Sequence, residues 1–453
     1  MDSEPAPSQR AVRPSTGVRL RAFELHNYRL FKRARLAVHP RVTVLVGLND
    51  VGKSTLLDAI RLYGLIEQQA GFRGPLSDED FSGTGELATR LVAEWEDASG
   101  LVWHHCLTLD AGAPEERLSA GERFWSWNPK TRHLETERGT FDAKEVSRFS
   151  SLALVEPKRW QLDTDVPPEI YEPLSIARSF HTPQAYLFEP SALAKPAPIS
   201  WTTPSRNGFA WGTWLQDIIN RRNDDISVLE GDTRRLFPFF GSVSVKEQRV
   251  QIQREEREIT SSRSMAPSAV VSKGRASKKN RAPIVVARDT GDLLDQLSDL
   301  QSTREVFIDV HGAGQGAGSM PQRIRAAEAS SGLLLALSHF ALLHATAEGD
   351  LLLLEEPENG LNGEVTLEMI RAFLGVVERR QQQLILTTHH PFWLDLVEPE
   401  SIRLLTRDAS GAHIREVAEE VKARPTERHL REASLMGTYG PQGLLYVQDR
   451  SEG

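Results

Sequence analysis

Three short stretches of this chain have residue types and spacings suited to phosphate chemistry. The first is Gly47-Leu-Asn-Asp-Val-Gly-Lys-Ser-Thr55, which fits G-x-x-x-x-G-K-[ST]. Glycines at those spacings let backbone N–H groups curl around phosphate oxygens at the start of a helix. In such a loop Lys53 reaches the β and γ phosphates and the Ser54 hydroxyl ligates Mg²⁺, with Asn49, Asp50, Gly52 and Thr55 completing the set that holds ATP. The second is Leu351-Leu-Leu-Leu-Glu-Glu356, an apolar run ending in two carboxylates. Glu355 suits a hydrated Mg²⁺, and Glu356 suits a general base that polarises the attacking water. The third is Thr387-Thr-His-His390, behind the apolar Leu384–Leu386. There His389 is the candidate sensor of the γ phosphate. Read singly, a charged strand end and a surface histidine pair are also ordinary solvent-facing features; the case rests on their coming together.

These residues need a strand, a loop and a helix in that order, and the flanking sequence supplies them. Val42–Val46 is apolar and β-rich and runs directly into Gly47, while Leu56, Leu57, Ile60 and Leu65 give Ser54–Leu65 a helical apolar face. Upstream, Leu20–Leu25 and Ala34–Val38 read as strands. Alternation over Leu87–Leu109 around the turn Asp97–Gly100 predicts a hairpin carrying Trp95 and Trp103, the start of a β-subdomain. His104, His105 and Cys106 fall on its second strand, where neighbours point to opposite faces and so make poor convergent ligands.

A Pro-rich stretch, Glu156–Pro204, precedes two helical runs, Trp211–Asn220 and Ser227–Leu236. The run Ser261–Pro283 then carries six basic residues (Arg263, Lys273, Arg275, Lys278, Lys279 and Arg281) and no acidic ones, which predicts a flexible surface loop. A Gly-rich segment, Gly312–Gly318, and Ser330-Ser-Gly332 lead into a Leu-rich helix before the acidic strand. The expected organisation is a disordered tail over 1–18, the first half of an ATPase head with a β-subdomain over 19–150, an inserted lobe over 151–305 and the second half of the head over 306–453.

Composition narrows the classes further. Lys and Arg number 54 against 62 Asp and Glu, a formal charge of −8, so DNA contact would need a local basic patch such as residues 261–283. A single cysteine rules out an intramolecular disulfide and points to a reducing, cytoplasmic setting. No apolar run approaches the roughly 20 residues of a membrane span.

The order of these motifs, GLNDVGKST, Ser-Ser-Gly, LLLLEEPENGLN and LTTHHP, resembles the ABC-type ATPases of the RecF, SMC and OLD group. The resemblance covers the first 65 residues and about 310–410. It implies an α/β fold, an ABC-type P-loop ATPase head with a β-subdomain and an inserted α/β lobe. It also implies a homodimer in which two heads sandwich two ATP molecules. Carried over by position, Ser331 and Gly332 are the signature pair facing a partner's ATP, Glu355 and Glu356 the acidic pair, and His389 the switch histidine. Departures are the shortened signature Glu328–Gly332, Glu355 where Asp is commoner, and Asn362 where many relatives carry an aspartate. Neither Gln68 nor Gln69 is assignable as the Q-loop glutamine. No acidic triad follows His390, so nuclease activity is not expected in this chain. The implied function is the ATPase of a bacterial anti-phage defence system, acting on nucleic acid with a separate effector, a nuclease or toxin. Alternatives are a RecF-like DNA repair ATPase and a scaffold dimer with slow hydrolysis; the long separation of Lys53 from Ser331 argues against a transporter ATPase.

Overall fold

The computed structural model describes residues 17–68, 88–109, 115–128, 131, 133–137, 139–142, 184–201, 203–221, 223–251, 300–312, 320–361 and 363–418. The basic run 261–283, most of the Gly-rich segment, Asn362 and Gln69 lie outside these residues, as does the side chain of Gln68.

In chain order, β1 (Arg19–Tyr28) and β2 (Phe31–Ala37) form a hairpin, and β3 (Val42–Val46) leads through the phosphate loop into α1 (Lys53–Gln68). Six more strands follow: β4 (Thr89–Glu96), β5 (Val102–Leu109), β6 (Glu115–Ala120), β7 (Arg123–Asn128), β8 (His133–Thr136) and β9 (Gly139–Asp142). Next come β10 (Gln184–Tyr186), α2 (Pro190–Leu193), β11 (Ala197–Pro198), α3 (Gly212–Arg221), α4 (Asn223–Leu236), β12 (Phe240–Gln251), β13 (Leu300–Val310) and β14 (Gln322–Arg325). The chain then returns through α5 (Ser331–Ala345), β15 (Leu351–Glu355), α6 (Gly363–Arg379), β16 (Gln383–Thr387), α7 (Pro391–Leu396), β17 (Ile402–Asp408) and β18 (Gly411–Glu416).

The fold is α/β, the class expected of an ABC-type ATPase head with a β-subdomain and an inserted lobe. Its central sheet has the order β10-β15-β16-β3-β17-β18, parallel except for the last strand. Alternation along β3 explains how this sheet is covered. Val42, Val44 and Val46 join one apolar core with α3, α4, α5 and α6, while Leu45 points into a second core with α1 and the antiparallel strands. Strands buried on both faces are mostly apolar, hence Leu351–Leu354 of β15, Leu384–Leu386 of β16 and the valines and leucine of β3; every residue of the three strands is buried.

The β-subdomain is larger than the hairpin read from sequence: β2-β1-β4-β5-β6-β7-β8-β9 form one antiparallel sheet. Trp95 and Trp103 are directly paired across β4 and β5, and both are buried. The extension is masked in the sequence because polar residues occupy core positions on it. Glu116 is buried on β6 and its Oε1 lies 2.8 Å from His105 Nε2, while His105 Nδ1 lies 2.6 Å from the Tyr63 hydroxyl of α1. His104 is exposed and His105 fully buried, the alternation expected of that strand.

Segments from the range 151–305 are woven into the rest. β10 forms the edge of the central sheet, with Gln184–Tyr186 beside Leu352–Leu354, and the boundary at 305/306 falls inside β13, which pairs with β12 over Leu300–Val310.

Candidate ATP-binding and hydrolysis site

Parallel pairing of β3, β16 and β15 places their carboxyl ends at one edge, where ligands of open α/β sheets gather. Glu355 stands beside Thr387, and Thr387 beside Leu45, two residues before Gly47. The three stretches picked from sequence, the first far along the chain from the other two, thus meet at one sheet edge.

The phosphate loop requires its glycines. A Cβ on Gly47 would sit 2.5 Å from the Leu405 carbonyl oxygen of β17, and one on Gly52, at φ +108°, would sit 3.0 Å from the Phe31 ring. Asp50, at φ 63°, takes the left-handed turn between them. Lys53 is buried, and its Nζ donates to the carbonyls of Gly47 (2.9 Å) and Leu48 (2.8 Å). Burial pushes the Lys53 pKa down, and the charges of Glu356 and Asp50 oppose that shift. Asn49, Asp50 and Ser54 are exposed and Thr55 is half-buried, so the loop's polar side chains face outward at the start of α1.

Glu355 is buried at the end of β15, and its carboxylate is held by the Arg206 guanidinium. Desolvation raises its pKa, Arg206 lowers it, and Asp58 and Glu356 raise it further. The next residue, Glu356, has φ 44°, a left-handed conformation rare outside glycine. Its N–H donates to the Thr387 carbonyl at 3.0 Å, which turns the side chain away from the strand and leaves it half-exposed. His389 Nε2 lies 3.3 Å from Glu356 Oε1. Burial, then the Lys53 charge, lower the His389 pKa against the pull of Glu356, so its imidazole is neutral at neutral pH. The adjacent His390 serves differently, as the N-cap of α7 with Nδ1 accepting from the Phe392 N–H.

Glu358 and Arg206 were not foreseen. Glu358 is buried, accepts from the Thr388 hydroxyl and, at 3.0 Å, from Trp393 Nε1, and burial raises its pKa against those bonds. Since Thr388 Oγ1 also accepts from the His390 N–H at 2.9 Å, Glu358 ties the loop after β15 to the turn carrying His389. Its only sequence signal is its place in Glu-Glu-Pro-Glu. Arg206, 149 residues from Glu355, has none.

Ser331 and Gly332 open α5, which is capped by Ser330 through a bond from the Leu333 N–H to its hydroxyl. Ser331 is exposed, and a Cβ on Gly332 would approach Leu361 to 3.2 Å. Among the described residues no hydrogen bond or ion pair joins this pair to Lys53, Glu355, Glu356 or His389.

These residues fit a magnesium nucleotide. Ser54 and Glu355 carry hard oxygen donors, and the Glu355 carboxylate already draws a cation, Arg206. Among the described residues no group of three or more His, Cys, Asp and Glu side chains could hold a metal by protein ligands alone. Magnesium bound through one or two protein oxygens and substrate phosphates needs no such group.

Two family models match parts of the chain. Residues 219–395 match the family model described as "AAA domain, putative AbiEii toxin, Type IV TA system", and residues 19–65 match the "AAA ATPase domain" model. No curated protein matches the chain. Among solved structures, the chain is similar to an SmcHead bound to the C-winged helix domain of ScpA, with 11% identity, TM-score 0.44, and 87% of this chain and 97% of that one covered. It is also similar to the SMC head domain from Thermotoga maritima, with 12% identity, TM-score 0.39, and 88% and 98% covered. A third is an Smc head domain with an extended coiled coil bound to the C-terminal domain of ScpA derived from Pyrococcus furiosus, with 10% identity, TM-score 0.42, and 91% and 100% covered. The two family matches span the phosphate loop, the acidic strand and the histidine turn.

Proposed function

We propose that this chain binds ATP with Mg²⁺ at Gly47–Thr55 and hydrolyses it, with Glu356 as the general base. The observation that carries this reading is the convergence of Lys53, Glu355, Glu356 and His389 on one sheet edge, with His389 touching Glu356. Lys53 exchanges its two loop carbonyls for β and γ phosphate oxygens, and the loop N–H groups hold the phosphates in line. Magnesium, when bound through Ser54 and Glu355, neutralises phosphate charge. Glu356, turned out of the strand by its left-handed backbone, takes the proton of the attacking water. His389, neutral and beside that carboxylate, orients the water and the γ phosphate. The test is ATP turnover by Glu356→Gln. The variant should bind ATP like the parent while hydrolysis falls by about 10²-fold or more, and parental turnover would assign the base elsewhere.

The finer reading is an ABC-type head of the OLD, RecF and SMC-like group that works as an ATP-sandwiched homodimer in the cytoplasm. The exposed Ser331 at the N-terminus of a 15-residue helix supports it, because such an end suits a partner's γ phosphate. Among the described residues no helix is long and apolar enough to cross a membrane. Sedimentation of Glu356→Gln should show a dimer with ATP and a monomer without; a monomer in both conditions counts against the sandwich. A role in anti-phage defence beside a separate nuclease or toxin is supported by a family description that itself names a toxin system. Nucleic acid contact is assigned to the basic residues from Arg263 to Arg281. Their replacement by Ser should weaken DNA binding and its salt dependence while ATP hydrolysis persists; binding unchanged across a salt titration would leave the loop a linker.

A further inference from the structure

Arg206 lies far from every motif in sequence and yet reaches a buried carboxylate of the site, Glu355. Its Nη2 bonds Glu355 Oε1, and its Nη1 lies 3.2 Å from Asp58 Oδ1 on α1. One guanidinium therefore bridges the end of β15 and the helix that follows the phosphate loop. Its Nε is buried and, among the described residues, has no hydrogen-bond partner, so the two carboxylates account for how the group is held.

The arginine is carried on a firmly built turn. The Leu187 N–H donates to the Arg206 carbonyl (3.0 Å) and the Glu189 N–H to that of Asn207 (3.1 Å), which ties the turn to the chain leaving β10. Ser205 N–H donates to the Phe209 carbonyl and Gly208 N–H to that of Ser205, both at 3.0 Å. Gly208, at φ +86°, packs so closely that a Cβ there would be 2.5 Å from Leu193. A side chain launched from such a turn is aimed rather than adrift.

A divalent cation and a guanidinium cannot both have first claim on one carboxylate oxygen. We infer that Arg206 is a built-in cation that occupies Glu355 in the absence of metal and competes with Mg²⁺ for it. Loading the metal then frees Arg206 toward Asp58 and alters the anchorage of the 205–209 turn, so that the state of the nucleotide site is felt at β10 and α2. The inference rests on Glu355 being the metal-side carboxylate of the proposed ATP site.

The test compares the affinity of a fluorescent ATP analogue in Mg²⁺ with its affinity in EDTA, because the ratio isolates the metal's contribution. In Arg206→Gln the ratio should rise by about tenfold, since a competitor for the carboxylate is gone. In Arg61→Gln it should stay within about twofold; Arg61 also pairs with Asp58, at 3.3 Å, without being bonded to Glu355. Arg206→Lys keeps a charge but not the fork that spans two carboxylates. It should raise the ratio less, and it decides the matter if the Gln variant fails to fold. A ratio that is unchanged or lower in the Arg206 variants, or raised equally in Arg61→Gln, overturns the competition. If the parent binds the analogue but Mg²⁺ changes nothing, Glu355 is not a metal ligand and the inference falls while the ATP site stands. If the parent does not bind the analogue at all, the ATP site itself falls.

Discussion

His389 Nε2 lies 3.3 Å from Glu356 Oε1, so the residue assigned to the γ phosphate and the residue assigned to water activation are in contact. Burial and the nearby Lys53 keep the imidazole pKa below its ordinary 6.5, with Glu356 pulling the other way. Protonation, and the loss of the ring nitrogen as an acceptor, therefore come only as pH falls below that value. ATP turnover should hold steady from pH 8 to about 6.5 and decline below it. In His389→Gln turnover should drop by about tenfold or more, with the histidine's contribution to the acid decline removed. An unchanged pH profile in that variant would remove His389 from the reaction.

Lys53→Ala should abolish ATP binding, because it deletes the charge set against the β and γ phosphates. The same ammonium satisfies the carbonyls of Gly47 and Leu48, so the variant's loop should also lose order. Equilibrium binding of a fluorescent ATP analogue checks the first effect and hydrogen exchange over residues 47–52 the second. Parental affinity in the variant would refute the phosphate-loop assignment.

Gly47→Ala should be harmful out of proportion to one methyl group. The added carbon would meet the Leu405 carbonyl oxygen at 2.5 Å, a backbone atom of β17 that cannot swing aside. A loss of about 1–3 kcal/mol in denaturant unfolding is expected, with ATP binding lost as well. Gly121→Ala is the control: its Cβ would meet nothing within 4 Å at φ +60°, so only the left-handed backbone penalty of about 1 kcal/mol applies.

Two buried histidines of α5 should make the protein acid-labile. Burial holds His339 at about 4, opposed by its bond to the Leu335 carbonyl, and burial with Arg380 holds His344 at about 4. Between pH 6.5 and about 4 the unfolded chain takes up protons that the folded chain refuses. Their contribution is thus complete above 6.5 and is lost as pH falls toward 4, by up to about 3 kcal/mol for each histidine. Urea unfolding at pH 7.5 and 5 measures it. His339→Leu should flatten the difference, and an equally steep pH dependence in that variant would show that other groups control acid unfolding.

The phosphate loop was legible because all its requirements lie within nine consecutive residues, Gly47–Thr55, between a β-rich, mostly apolar strand and an amphipathic helix. Glu355, Glu356 and His389 were legible for a related reason: buried parallel strands must be apolar, so charges that end such a run sit at its edge. The breadth of the antiparallel sheet was not, because Glu116 interrupts the apolar alternation of β6 and becomes tolerable in the core only through its side-chain contact with His105. Nor was β10, three residues in a Pro-rich stretch that become a strand only by pairing with Leu352–Leu354.

By itself the sequence determined which residues could hold phosphate and which strand ends would carry charge, since local periodicity and backbone freedom decide those. Only the tertiary structure decided which charges meet. Arg206 finds Glu355 and Asp58, and Glu358 finds Thr388 and Trp393, across separations that no local pattern records. A carboxylate costs several kcal/mol to bury alone and far less with a cation or donor in place; such partners are chosen by the packing of whole sheets, not by neighbours along the chain.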